Sequence, residues 1–260
     1  MILPRIIPVL LLKNAGLYKT IKFRHPKYVG DPLNAVKVFN EKEVDELILI
    51  DFTATVEKKV PLFSLIEDIA SQCFMPLCYG GGINSIDDIK KLIQLGVEKI
   101  SLNTKAAEDP SFVERAASLF GSSTIVISID VRKNLFGKNE VYTYSGSKLL
   151  NIAPENYARQ MEDCGAGEIL LNSISNDGVM NGYDLEIIKA ISSSVKIPVI
   201  ACGGAGNLNH FKEAFDSGAS AMAAGSFFVF HGKHRGVLIS YPSQDDLITL
   251  FGRESKFETD

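Results

Sequence analysis

The chain has 260 residues, 46% of them hydrophobic and 22% charged, with a formal net charge of −4. This supports one large core and an ordinary soluble surface, and the lack of any lysine- or arginine-rich run excludes a nucleic-acid footprint. No segment approaches transmembrane length, so no membrane role is expected, and four dispersed cysteines (Cys73, Cys78, Cys164, Cys202) without C-x-x-C spacing read as core thiols in a reducing, cytoplasmic setting.

The first predicted element is the apolar run Ile6–Leu12. It is short, contains Pro8 and lacks a small-residue cleavage site downstream, so it reads as a buried strand rather than a secretion signal. Continuous Ile/Val/Leu runs then place eight strands near 5–12, 46–52, 76–80, 98–102, 124–131, 168–172, 198–202 and 220–225. Such runs are expected of parallel strands covered on both faces. Helical periodicity falls near 31–43, 62–72, 85–95, 107–119, 153–164, 184–194, 207–217 and 243–251, with starts marked by Asp31-Pro32, Ser85 and Asp109-Pro110. The stretches 13–30 and 132–152 are read as long irregular loops of the lid type, after strands 1 and 5. No linker divides the chain, which predicts one domain over 1–260.

The chain also repeats itself. Glu46 and Glu168, Pro76 and Pro198, Gly81-Gly82 and Gly203-Gly204, and Gly96 and Gly218 all stand 122 residues apart. A repeat of that length is half a domain. Two halves of alternating strands and helices predict an α/β fold, a (β/α)8 TIM barrel made of two repeated half-barrels.

Barrel chemistry gathers at the carboxyl ends of the strands. A glycine pair after a strand exposes backbone N–H groups to an anion, and a following helix adds a positive dipole. Gly81-Gly82 with Asn103-Thr104, and Gly203-Gly204 with Gly225-Ser226, therefore predict two phosphate sites facing each other, suited to a ligand phosphorylated at both ends. The alternative is that these glycines only make tight turns. Asp177-Gly178 would add N–H groups to the second site, or would be a plain turn. Asp130, ending Ile125–Ile129, is the acid–base candidate, because a carboxylate at the mouth is costly to bury without a role. Its repeat equivalent is Leu11, so the duplication asks for a second carboxylate that the sequence lacks. Asp51 ends strand 2 as a polar contact or as a loop cap. At the opposite end Arg5, Glu46, Lys99 and Glu168 open four strands and predict an ion-pair ring across the floor. His231 and His234 read as loop residues near a phosphate rather than metal ligands.

These motifs carry a resemblance. Arg5-Ile6-Ile7-Pro8, Gly30-Asp31-Pro32, Asp45-Glu46-Leu47 with Asp51, Gly80-Gly81-Gly82-Ile83, Asp130, Gly165–Leu171, Asp177-Gly178, Gly182-Tyr183-Asp184-Leu185 and Ile197–Gly206 resemble the cyclase subunit of imidazole glycerol phosphate synthase over 1–230. The resemblance implies a glutaminase subunit docked at the amino-terminal face as a heterodimer partner. It implies ammonia passing a gate at Arg5, Glu46, Lys99 and Glu168, and Lys19 on a mobile loop over the substrate. The implied substrate is a bisphosphorylated ribulotide, cleaved and cyclised to imidazole glycerol phosphate and aminoimidazole carboxamide ribotide, with no cofactor and no metal. Leu11 departs from the family's pair of catalytic aspartates, and the tail from His231 departs as well. Both departures resemble a divergent paralogue group tied to surface-polysaccharide pathways, in which the barrel relays ammonia to a sugar amidotransferase.

Overall fold

The structure, a computed structural model, describes residues 3–232 and 234–252. Its eight parallel strands are β1 (Arg5–Lys13), β2 (Leu47–Asp51), β3 (Leu77–Gly80), β4 (Lys99–Leu102), β5 (Ile125–Lys133), β6 (Glu168–Ser173), β7 (Val199–Cys202) and β8 (Ala221–Ala224). Each pairs with its neighbours in chain order, and β8 pairs back onto β1, so the sheet closes into a barrel. Closure leaves the strands covered on both sides, which is why they read as unbroken apolar runs. The (β/α)8 barrel predicted from the repeat is the fold observed.

The main outer helices are α1 (Pro32–Glu41), α2 (Phe63–Gln72), α3 (Ile86–Gln94), α4 (Pro110–Phe120), α5 (Pro154–Asp163), α6 (Leu185–Ser192), α7 (Leu208–Asp216) and α8 (Gln244–Gly252). Their starts follow the predicted caps. Asp31 accepts from Asn34 N, Asp109 from Phe112 N, and Ser85 forms a reciprocal capping box with Asp88. The main core lies between the helices and the outer faces of the strands, with Phe39, Phe112, Phe211 and Phe228 fully buried. A second, smaller apolar cluster fills the barrel itself: Ile7, Ile48, Cys78, Val126, Leu170, Ile200, Ala221 and Ala223.

Two expectations are corrected. The stretches 13–30 and 132–152 are antiparallel hairpins, not irregular loops. Strands β1 and β5 run past the barrel rim and pair with Gly16–Ile21 and Asn139–Thr143, which fold back on Arg24–Gly30 and Lys148–Leu150. Left-handed residues make the reversals, at Asn14, at Lys22 and Phe23, and at Tyr144 and Ser145. The alternation of buried Leu17 and Lys19 with more exposed Tyr18 is a strand signal masked by the polar composition. Two one-turn helices, Thr104–Glu108 and Ser226–Val229, also follow β4 and β8 directly. One turn is too short to show a 3.6-residue period, so the sequence reading merges the end of the first into the predicted helix 107–119, which is α4, and omits the second.

Backbone register makes the duplication exact at the mouth. Leu11 lies opposite Tyr18 in the first hairpin, and Asp130 opposite Tyr142 in the second. Across the parallel ladders Leu11 pairs with Ile50, and Asp130 with Asn172.

Candidate functional site

One cavity opens at the carboxyl ends of the strands, and every residue proposed for substrate contact lines it: Lys19, Asp51, Gly82, Asn103, Thr104, Asp130, Asp177, Gly178, Gly203, Gly204, Gly225 and Ser226. Leu11 lines it too. The four floor charges lie at the other end of the strands, outside this cavity.

Asp130 lies near the end of the part of β5 that pairs with β6, with its carboxylate buried. Asn103 Nδ2 donates to Oδ2 at 3.3 Å, and the Ser128 hydroxyl lies 3.5 Å from Oδ1. Burial pushes its pKa up to about 7, the charge of Asp177 adds to the rise, and hydrogen bonding from Asn172 and Ser128 only partly offsets it. A carboxyl group poised near neutrality can accept or return a proton. Asn172, its ladder partner, lines the same cavity and carries a buried Oδ1 without a hydrogen-bond partner among the described residues. The sequence reading missed Asn172; the signal was its position on β6 beside Asp130.

The two halves of the mouth differ in polarity. Val9, Leu11 and Ile50 occupy the register positions that Ser128, Asp130 and Asn172 occupy in the second half, and all six line the cavity. At these three positions one half is apolar where its twin is polar. Leu11 is therefore one member of a set rather than an isolated replacement.

The glycine doublets sit where the backbone crowds. A Cβ on Gly81 would lie 2.2 Å from Asp51 O, and one on Gly204 would lie 2.1 Å from Gly182 O; both have positive φ, +113° and +122°. Packing alone thus demands glycine there, and any anion contact comes in addition. Around the first doublet, Thr104 Oγ1 accepts from Tyr144 N at 3.0 Å, and Asn103 Nδ2 donates to Ser128 O at 3.0 Å, tying this side to the second hairpin. Around the second doublet the neighbour is Lys19. Its ammonium donates to Val9 O at 2.7 Å and lies 1.8 Å from where a Gly225 Cβ would be. Burial lowers the Lys19 pKa to about 8 against the opposing pull of Asp177.

Asp177 anchors the first hairpin. Its carboxylate accepts from the Thr20 hydroxyl at 2.7 Å and from Phe23 N at 3.2 Å, while its carbonyl accepts from Lys22 N at 2.9 Å. Gly178 allows this approach, since a Cβ would lie 2.1 Å from Thr20 O. Asp51 caps its own loop, accepting at 3.0 Å each from Thr53 N, Thr53 Oγ1 and Ala54 N.

At the floor the four charges alternate in a closed ring. Arg5 pairs with Glu46 and Glu168, and Lys99 reaches Glu46 at 2.9 Å and Glu168 at 2.8 Å. For both cations burial works against the charge, but hydrogen bonds and the charges of the two glutamates outweigh it. The tail crosses the same end, where Tyr241 Oη donates to Ile6 O at 2.8 Å. His231 lies in a small exposed hairpin with Gly236, and neither His231 nor His234 lines the cavity, so the phosphate-adjacent reading of the two is withdrawn. Among the described residues no helix is long and apolar enough to cross a membrane.

The sequence profile described as "Histidine biosynthesis protein" matches residues 5–235. The chain belongs to this histidine biosynthesis protein family. A Pseudomonas aeruginosa relative, provisionally named imidazole glycerol phosphate synthase subunit hisF2, is 51% identical over 95% of this chain and 99% of its own. A Vibrio vulnificus relative, provisionally named as subunit hisF3 of that synthase, is 46% identical over 95% of each chain. The imidazole glycerol phosphate synthase subunit HisF of Thermococcus onnurineus is 42% identical over 90% of this chain and 92% of its own. Family members of the cyclase-subunit type are thus what this chain resembles over nearly its whole length.

Proposed function

We propose that the chain is the synthase barrel of a glutamine amidotransferase, which receives ammonia from a glutaminase docked at its amino-terminal face and uses it at the mouth. The observation that carries this reading is the succession, along the strands, of a closed charge ring, an apolar interior and the mouth cavity. The ring of Arg5, Glu46, Lys99 and Glu168 spans the floor. Above it lie small and aliphatic side chains including Cys78, Ala221 and Ala223, and beyond them Asp130. An uncharged molecule of ammonia suits that lining, whereas an ammonium ion would be costly to desolvate there. The mouth offers two glycine-rich loops for a ligand phosphorylated at both ends, Lys19 beside the second loop, and Asp130 for proton transfer. The substrate of this reading is a bisphosphorylated ribulotide, and the products are imidazole glycerol phosphate and aminoimidazole carboxamide ribotide.

The floor tests this reading. Lys99→Ala should change glutamine-dependent turnover with the cognate glutaminase while leaving the rate with free ammonia nearly unchanged. Equal effects on both nitrogen sources, or none on either, would reduce the ring to a stability device.

One observation favours a second reading. Leu11 stands where the repeat of Asp130 would be, beside apolar Val9 and Ile50, and Asp51, the acid at the end of β2, is taken up in capping its own loop. Loss of a positioned acid–base group typically costs about 10²–10⁴ in rate. The second reading is a divergent paralogue that passes ammonia to a sugar amidotransferase of surface-polysaccharide synthesis. Under it, Leu11→Asp should raise cyclisation of the ribulotide from a low wild-type level. A wild-type rate already matching that of a two-aspartate cyclase would remove the second reading.

A further inference from the structure

The first hairpin's tip points two kinds of side chain in two directions. Phe23 lines the central cavity, while its neighbours Lys22 and Arg24 line a separate cleft outside it. Arg132 and Lys133, at the end of β5, line the same cleft with Ser175 over buried Ile174. Four cations therefore face one recess, and no acidic side chain lines it.

The surrounding charges leave most of this unbalanced. Lys133 is compensated, reaching Glu186 at 2.8 Å and Asp184 at 3.3 Å. Asp177 is turned away, its carboxylate taken by Thr20 and Phe23 N. Glu140 accepts from Asn134 and Tyr142. Among the described residues Lys22, Arg24 and Arg132 have no ion-pair partner. Arg132 is held in place nonetheless: it donates to Gly146 O at 2.9 Å and lies 4.4 Å from the centre of the Tyr142 ring. The hairpin tip is fixed too, through the bonds from Lys22 N and Phe23 N to Asp177. Like charges held together on anchored backbone repel one another unless a counter-charge joins them, and guanidinium groups match the oxygens of a phosphoryl group in pairs.

We propose that this cleft is an anion site for a phosphoryl group carrying at least two negative charges, of the diphosphate class. It adjoins the central cavity: Arg132 Nη2, Phe23 Cδ2 and Ile174 Cδ1 converge to 3.1–3.2 Å from where a Gly146 Cβ would lie, so Phe23 forms the wall between the two spaces. The anion is thus either one end of a ligand that extends from the cavity over Phe23, or a separate molecule bound beside it. The inference does not depend on what reaction the cavity performs.

Calorimetric titration of the full chain with pyrophosphate tests it. The double variant Lys22→Ala/Arg24→Ala, at exposed positions on the tip, should weaken binding at least tenfold, and Arg132→Ala should do the same. Lys138→Ala removes a cation from the second hairpin that does not line the cleft and should leave affinity unchanged. Repeating the titration with fructose 1,6-bisphosphate present separates the two sources. Competition assigns the cleft to an extended cavity ligand, and simultaneous binding assigns it to an independent anion. Absence of pyrophosphate binding, equal affinity in the wild type and the double variant, or an equal loss in Lys138→Ala would overturn the proposal.

Discussion

Asp130→Asn should stabilise the fold while ending any proton transfer at the mouth. The Asp130 carboxyl rises from 3.8 to about 7 because it is buried and faces Asp177. Between these two values the folded state holds a proton that the unfolded chain has released. The unfolded state therefore binds fewer protons in this window, and stability falls as pH rises from about 4 to about 7. At about 1.36 kcal/mol per pKa unit, the gap sets a ceiling of about 4 kcal/mol of destabilisation above pH 7. Asparagine keeps the volume and cannot ionise, but it accepts less strongly from Asn103 and Ser128, so a gain of about 2–4 kcal/mol at pH 8 is expected. Urea unfolding at pH 4 and pH 8 measures it, since other titrating groups are common to both proteins and cancel. The difference between variant and wild type should be near zero at pH 4 and large at pH 8. A difference that does not change with pH would refute the argument and place the Asp130 carboxyl in the ordinary range.

The two glycine doublets give further tests. Crystals soaked in phosphate or sulfate should show anions at Gly82/Asn103/Thr104 and at Gly204/Gly225/Ser226, and pockets that stay empty at high phosphate would leave those loops as turns only. Gly81→Ala should lower stability by about 2–4 kcal/mol, because its Cβ would lie 2.2 Å from Asp51 O at a φ of +113°. Thermal melting at the wild-type temperature would contradict that packing.

The barrel was legible because parallel strands covered on both faces leave an apolar trace, and because the doubled glycines and prolines mark the turns twice. The floor charges were legible for a related reason: each opens a strand at a position where the remaining pattern is apolar. The hairpins were not. Tyr18, Lys19 and Thr20 look like loop residues until β1 is seen to continue beyond the rim, where one face of the added ribbon covers the cavity. Asn172 was hidden by its place in an otherwise apolar strand, since its role depends on a ladder partner 42 residues away in sequence. The basic cleft was out of reach altogether, because it forms only where the first hairpin's tip, the end of β5 and the residues after β6 meet.

The duplication explains why the missing acid at Leu11 does not disturb the fold. Both halves retain the glycine doublet, the hairpin and the one-turn helix that shape the mouth, and these are backbone features. Backbone architecture fixes where a ligand can sit, whereas the side chains at the strand ends decide what happens to it. Here those side chains have parted: Ser128, Asp130 and Asn172 on one side face Val9, Leu11 and Ile50 on the other. An aspartate at position 11 would lie beside apolar Val9 and Ile50, and desolvation would raise its pKa as it does for Asp130. A restored acid at position 11 would thus share the upward shift that lets Asp130 accept or return a proton, and polar company at position 9 or 50 would tune it further. The identity of residue 11 decides whether the first half carries an acid at the position equivalent to Asp130, and its neighbours Val9 and Ile50 set how strongly that acid would hold its proton.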